Sequence, residues 1–217
     1  MIVLNLKTYP ESIKKALLFT DIAKEVVDET GLRIVVCPPM LSLHEAAERF
    51  SDVFSQHADP EKAGAHTGSI GAEMLKAAKV KGSLINHSER RVGDNARLKA
   101  TVDSLHMHGL ESLVCAASPE EAAVIAAYSP TYIAVEPPEL IGSGVSVSTA
   151  RPEVVSDSVK AVKDVDGKVS VLCGAGVSNR DDVKKSLELG ASGVLLASAF
   201  VKSHDPRKFL TELASAF

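Results

Sequence analysis

Short apolar runs alternate along the whole chain with longer segments in which apolar residues recur at helical spacing. The apolar runs predict eight strands, at 2–6, 32–37, 52–57, 82–86, 110–116, 131–136, 168–173 and 192–197. Most of these runs are almost continuously apolar, as in Ile34-Val35-Val36-Cys37. Such runs are typical of parallel strands that are covered on both faces.

The intervening segments predict helices, most clearly at 12–29, 95–108 and 152–165. Residues that favour helix starts and stops agree with this division, namely Pro10, Asp94, Pro119, Pro152 and Asn179 at starts and Gly31, Gly109 and Gly190 after ends. Eight strand–helix units of roughly 27 residues predict one α/β domain over 1–217, a single (β/α)₈ TIM barrel with shortened helices. The alternative is an open doubly wound sheet, which is less favoured because no G-x-G-x-x-G follows the first strand.

Composition and charge exclude some classes of partner. The chain carries 24 Lys and Arg against 28 Asp and Glu, for a net charge of −4, and has no Trp. The composition therefore predicts neither the basic surface nor the stacking aromatic residues that bind nucleic acid, and we do not expect a nucleic-acid partner. Three cysteines without paired spacing indicate a reducing compartment. With no secretory signal, and apolar runs far below the ~20 residues of a membrane span, we expect a cytoplasmic protein without a membrane segment.

Polar residues follow several of the predicted apolar strands. In a (β/α)₈ barrel the carboxyl ends of all strands meet at one face, so these residues are expected to lie together. They are Asn5 and Lys7 after the first strand, His87 after the fourth, Glu136 after the sixth, Gly174-Ala175-Gly176 after the seventh and Ala197-Ser198 after the eighth.

These residues belong to motifs that occur in the same order in a known family. The motifs are Asn5-x-Lys7, Gly64-Ala65-His66-Thr67-Gly68, Asn86-His87-Ser88-Glu89-Arg90-Arg91, Val135-Glu136-Pro137 and Gly142-Ser143-Gly144. Over nearly its whole length the sequence resembles the triosephosphate isomerase family, and the run at 86–91 is the most specific part of the match.

The resemblance implies an aldose–ketose isomerase of glycolysis and gluconeogenesis that interconverts dihydroxyacetone phosphate and D-glyceraldehyde 3-phosphate with no cofactor and no metal. Removing a proton from carbon beside a carbonyl requires a base and stabilisation of the enediolate oxygen. By resemblance, Glu136 is the base and His87 is a neutral electrophile, favoured by the dipole of a helix that begins there. Asn5 and Lys7 contribute a second donor and a positive charge, and both also bind the substrate.

The resemblance also assigns the phosphate site, to backbone N–H groups at Gly142, Gly176, Ala197 and Ser198, with Gly174 among the substrate-binding residues. Glycine turns and helix N-termini suit this chemistry because their N–H groups bind anions. The segment from Pro137 to Gly144 resembles a lid that excludes water. Glu89 resembles a carboxylate close to the active site, although a plain ion pair explains it nearly as well.

The chain departs from longer family members in ways that resemble the short archaeal form. That form associates as a homotetramer, whereas longer forms are dimers, and the loop at 62–69 resembles one that enters a neighbouring subunit. Cys173 stands where many members have Tyr, Gly176 where they have Ser, and Ala197-Ser198 where they have a Gly pair. These differences bear on the lid contacts and the phosphate ligands.

Two other functions remain open at this level. A different phosphate-binding barrel enzyme, such as an indole- or histidine-pathway isomerase or a thiamin-type synthase, would share the glycine turns at 174–176 and 193–198. A non-catalytic barrel protein is the second. The set formed by Asn5, Lys7, His87 and Glu136 favours the isomerase over both, because neither alternative needs those four side chains.

Overall fold

The structure, a computed structural model, describes residues 1–137 and 146–217. The eight predicted strands are all present, as β1 (Ile2–Asn5), β2 (Ile34–Cys37), β3 (Phe54–Ser55), β4 (Gly82–Ile85), β5 (Glu111–Ala116), β6 (Tyr132–Val135), β7 (Ser170–Cys173) and β8 (Gly193–Leu196). Helices follow them, as α1 (Pro10–Thr30), α2 (Leu43–Arg49), α3 (Ala72–Ala77), α4 (Asn95–Met107), α5 (Pro119–Ala126), α6 (Val147–Ala150), α7 (Pro152–Val165), α8 (Arg180–Glu188), α9 (Ser198–Val201) and α10 (Pro206–Ala214).

The strands form one parallel sheet in the order β2-β1-β8-β7-β6-β5-β4-β3. Its two outer strands meet, because Val36 forms a parallel bridge with Val53 and the Val36 N–H donates to the Asp52 carbonyl at 3.0 Å. The sheet thus closes on itself as a barrel. This confirms the predicted (β/α)₈ fold over the open sheet, and several of the helices are short, as expected.

Two apolar clusters hold the barrel together. One lies between the sheet and the surrounding helices, where Phe19 of α1 meets Phe200 of α9 edge-to-face at 5.1 Å. The other fills the barrel interior with side chains from alternate strand positions, namely Val3, Val35, Cys37, Phe54, Leu84, Leu113, Cys115, Ala134, Leu172 and Leu195. A filled interior leaves the strand ends as the place where a pocket can form.

The sequence signals for helix boundaries are confirmed. The side chain of Asp94 accepts from the Ala96 N–H at 2.8 Å, and that of Asn179 accepts from the Asp182 N–H at 2.9 Å. Among the strands, β3 is much shorter than the predicted 52–57. The chain leaves the sheet there because the Ser55 hydroxyl donates to the carbonyl of His57, two residues on.

Nowhere in residues 1–137 and 146–217 is there a helix long and apolar enough to cross a membrane.

Candidate active site

A pocket opens at the carboxyl ends of the strands and encloses about 530 Å³, open solvent included. It brings together Lys7, His87 and Glu136, which follow β1, β4 and β6. The turns after β7 and β8 line the same pocket. Asn5 lines an adjoining hollow that shares Lys7 and His87 with this pocket. The predicted gathering of distant side chains at one end of the barrel is therefore present.

Glu136 is a buried carboxylate that follows β6 directly. Its N–H donates to the Ala116 carbonyl at 2.8 Å, which continues the sheet, and its side chain is only 3% exposed. Burial raises the pKa of Glu136 to about 7, although a hydrogen bond from the Cys115 thiol and the charge of Lys7 act in the opposite direction. Its Oε2 atom accepts no hydrogen bond from any described residue. A carboxylate in this state is a basic oxygen ready to accept a proton.

Gly174 makes room for this carboxylate. A Cβ atom at position 174 would lie 2.4 Å from Glu136 Cγ and 3.2 Å from Oε1. The Gly174 N–H is already engaged, because it donates to the Val135 carbonyl at 3.0 Å. Gly174 lines the pocket, as the sequence predicted, but its N–H is not directed to an anion.

His87 faces Glu136 across the pocket, with its Nε2 atom 3.5 Å from Glu136 Oε2. On the other side of the ring, Nδ1 accepts from the Glu89 N–H at 3.2 Å. Only an unprotonated nitrogen can accept, so the neutral ring carries its proton on Nε2, toward the pocket. Burial, followed by the charge of Lys7, lowers the pKa of His87 to about 4. The helix start that the sequence predicted at His87 is a three-residue 3₁₀ turn, Ser88–Arg90, with His87 as its N-cap.

Lys7 is held in place at both its backbone and its side chain. Its φ of 49° is left-handed, and the conformation is stabilised by Asn5 Oδ1, which accepts from the Lys7 N–H at 3.1 Å. Gln56 Nε2 donates to the Lys7 carbonyl at 3.0 Å. The ammonium group of Lys7 donates to Glu89 Oε1 at 2.7 Å. Glu89 therefore forms an ion pair with a pocket residue, and it also lies beside His87.

The predicted phosphate donors lie on the wall formed by the turns after β7 and β8. Gly176, Ala197 and Ser198 all line the pocket, and their N–H groups make no hydrogen bond to residues 1–137 or 146–217. Gly176 has a φ of 72°, a conformation that favours glycine. Gly142 and the predicted lid from Pro137 to Gly144, apart from Pro137 itself, lie outside the described residues.

Three supporting residues were not identified from the sequence. Cys115 is a buried residue of the barrel interior, and its thiol bonds Glu136. Asn86 precedes His87 and braces its turn, donating to the Cys115 carbonyl and accepting from the Val92 N–H, each at 3.0 Å. Gln56 holds the Lys7 backbone. The available signal for Asn86 was an amide side chain directly after an apolar run, whereas Gln56 is separated from the preceding apolar run by Ser55.

Across the described ranges, no group of three or more His, Cys, Asp or Glu side chains is arranged to hold a metal ion.

Comparison with known proteins identifies the family. The family model described as triosephosphate isomerase matches residues 1–216. The triosephosphate isomerase of Methanothermus fervidus is 48% identical over 215 residues, covering 98% of this chain and 96% of the relative. That of Methanocaldococcus jannaschii is 46% identical, covering 98% of each chain, so both relatives are nearly as short as this one.

The same fold occurs in a solved structure. The crystal structure of triosephosphate isomerase from Bartonella henselae aligns with a TM-score of 0.74 at 22% identity, covering 99% of this chain and 97% of that one. The family match decides against the other phosphate-binding barrel enzymes considered from the sequence. This chain belongs to the triosephosphate isomerase family.

Proposed function

We propose that the chain interconverts dihydroxyacetone phosphate and D-glyceraldehyde 3-phosphate through an enediolate, with Glu136 as the base and His87 as the electrophile. The observation that carries this proposal is the pair formed by Glu136 Oε2, without a hydrogen-bond partner among the described residues, and His87 Nε2 at 3.5 Å. A base and a proton donor face the same small volume, as removal of a proton beside a carbonyl requires.

The reaction moves one proton between two neighbouring carbons. Glu136 takes the proton from the carbon beside the carbonyl, and the electron pair of that C–H bond moves toward the carbonyl oxygen. The Nε2–H of neutral His87 donates a hydrogen bond to this oxygen as its charge develops. Protonated Glu136 then returns the proton to the former carbonyl carbon. The proton of the neighbouring hydroxyl passes to the enediolate oxygen by way of His87 Nε2, so that the neighbouring carbon becomes the new carbonyl. Asn5 and Lys7 act at the same end of the substrate, as a second donor and a positive charge.

Substrate binding depends on local charge, because the protein as a whole is acidic. Lys7 supplies a cation next to the pocket, and the N–H groups of Gly176, Ala197 and Ser198 bind the phosphate. Their support is that they line the pocket and make no hydrogen bond to the described residues. Gly142 completes this set by resemblance, and Gly174 contributes by admitting the Glu136 side chain. Glu89 orients Lys7 from the far side of its ammonium group.

We propose that residues 1–217 act as one barrel domain and assemble as a homo-oligomer in the cytoplasm, with a tetramer favoured over a dimer. Arg207 of α10 pairs with Glu25 of α1 at 3.2 Å, which ties the last helix to the first. Leu41 is fully exposed and Met107 is 72% exposed, and such apolar side chains favour burial between subunits. The three cysteines are free, which suits a reducing compartment. Sedimentation equilibrium of the purified protein tests the assembly, and a monomer would contradict it.

The catalytic proposal is tested by a coupled assay of the purified protein with D-glyceraldehyde 3-phosphate. We expect turnover in the wild type and a loss of roughly 10³-fold or more in Glu136→Gln, since a positioned base is removed. Glu120→Gln is the matched control, because Glu120 is an exposed glutamate on α5. Wild-type turnover in Glu136→Gln would remove Glu136 from its role, and no turnover in the wild type would favour a non-catalytic barrel.

A further inference from the structure

Asp182 is a buried carboxylate outside the pocket that the proposed chemistry does not use. It is the third residue of α8 and is 8% exposed. Its Oδ2 atom accepts two hydrogen bonds from Ser178, one from the N–H at 2.9 Å and one from the hydroxyl at 3.0 Å. Its Oδ1 atom accepts from the Thr149 hydroxyl at 3.4 Å. The carboxylate therefore joins the loop after β7 to helix α6.

Capping of α8 does not account for these contacts. Asn179 already caps the helix, because its side chain accepts from the Asp182 N–H. The Asp182 side chain reaches back past this cap to the loop residue before it. Its backbone carbonyl also accepts from the Ser148 hydroxyl at 3.2 Å, which adds a second contact with α6. A carboxylate is costly to bury, so three donors converging on this one indicate a specific structural purpose.

The loop that Asp182 holds is the one that carries Gly176. The loop spans residues 174–178, and its two ends are fastened differently. Near the start, the Ala175 carbonyl accepts from the Val147 N–H of α6 at 3.1 Å. At the end, Ser178 is fastened by Asp182. Gly176 lies between the two fastenings in a left-handed conformation with no side chain of its own to pack.

We propose that Asp182 is a positioning residue for phosphate binding, which fixes the loop at 174–178 so that the Gly176 N–H faces the pocket. This inference rests on the proposed function, because that function places the substrate phosphate at Gly176. Asp182 does not touch the substrate. It acts through Ser178, whose N–H and hydroxyl it occupies on the side of the loop next to α6 and α8.

The test compares Asp182→Ala with the wild-type enzyme by KM for D-glyceraldehyde 3-phosphate, Ki for inorganic phosphate as a competitive inhibitor, kcat and the melting temperature. A displaced N–H loses one charge-assisted hydrogen bond, so KM and Ki should both rise about tenfold. We expect kcat to change by less than about threefold, because the lost contact is made in both the ground state and the transition state. Asp181→Ala is the matched control, since Asp181 is an exposed acid in the first turn of the same helix.

A purely structural role would lower the melting temperature of Asp182→Ala and leave KM and Ki at wild-type values, which would overturn the inference. If Asp182→Ala does not fold, Thr149→Val decides, because it removes the hydroxyl bond to Asp182 Oδ1 and Thr149, unlike Ser178, does not line the pocket. A rise of about threefold in Ki is then expected, and an unchanged Ki overturns the inference. Failure of the proposed function has a different signature: the wild type itself would show no turnover or no competitive inhibition by phosphate.

Discussion

Burial of Glu136 should make the native protein less stable at the pH where it works. A carboxyl group whose pKa is raised from 4.5 to about 7 on folding binds its proton more tightly in the folded state. Its contribution to the free energy of unfolding is therefore fully favourable below pH 4.5 and is lost as the pH rises to about 7. The glutamine of Glu136→Gln cannot ionise, so the stability of this variant should not fall in this way as the pH rises. The same substitution should abolish turnover.

The size of the effect follows from the shift. The rise of the Glu136 pKa from 4.5 to about 7 corresponds to roughly 3.5 kcal/mol, since a tenfold change in an equilibrium constant is worth about 1.4 kcal/mol. Glu136 is 3% exposed, so solvent does not screen this difference. Between pH 5 and pH 8.5, where most of the titration takes place, the stability of Glu136→Gln relative to the wild type should increase by roughly 2 to 3 kcal/mol.

Guanidinium unfolding of both proteins at pH 5, 6, 7 and 8.5, at one protein concentration, measures this quantity. Fixed concentration is needed because the proposed self-assembly would make apparent stability depend on protein concentration. Because His87 Nε2 lies 3.5 Å from Glu136 Oε2, the same comparison in a His87→Gln background removes the titration of His87 from the difference. A stability difference that stays constant from pH 5 to pH 8.5 would refute the reasoning, because it would mean that Glu136 titrates alike in the folded and unfolded chains.

Three further predictions concern the pocket. Gly174→Ala should reduce kcat/KM by roughly 10²-fold in the coupled assay, because the new Cβ forces the Glu136 side chain to move; wild-type activity would contradict this. In the wild type, kcat/KM should fall as the pH drops below about 7, where Glu136 becomes protonated; a flat profile between pH 5 and 8 would count against it. In Glu89→Gln, the fall in kcat/KM on acidification should occur at lower pH, because the charge of Glu89 raises the pKa of Glu136. If the fall occurs at the same pH as in the wild type, Glu89 does not influence the titration of Glu136.

The fold was largely predictable because each strand is an apolar run long enough to be recognised by itself. The exception is β3, which ends at Ser55 although the sequence favours extended structure to residue 57. What ends it is a contact between side chain and backbone, from Ser55 to the His57 carbonyl, and hydrophobic pattern does not report such contacts. The contact between β2 and β3 that closes the barrel could not be recognised from any one strand and was inferred from the number of strands.

The candidate site was predictable where polar residues interrupt an apolar pattern, as at Lys7, His87 and Glu136. The supporting residues were not, because their roles depend on neighbours in the sheet. Ala116 lies opposite Val135 across β5 and β6, and only this register places the Cys115 thiol near Glu136. In the same way Val135 lies opposite Cys173, which brings Gly174 beside Glu136.

The measurement that tests the central claim most directly is proton NMR of the conversion of D-glyceraldehyde 3-phosphate in D₂O by the wild type and by Glu136→Gln. If Glu136 carries the proton between the two carbons, the carboxyl group exchanges with solvent, and the wild-type product should contain carbon-bound deuterium. Glu136→Gln should form product at least roughly 10³-fold more slowly. Deuterated product formed by Glu136→Gln at the wild-type rate would contradict the account, because another group would then be the base.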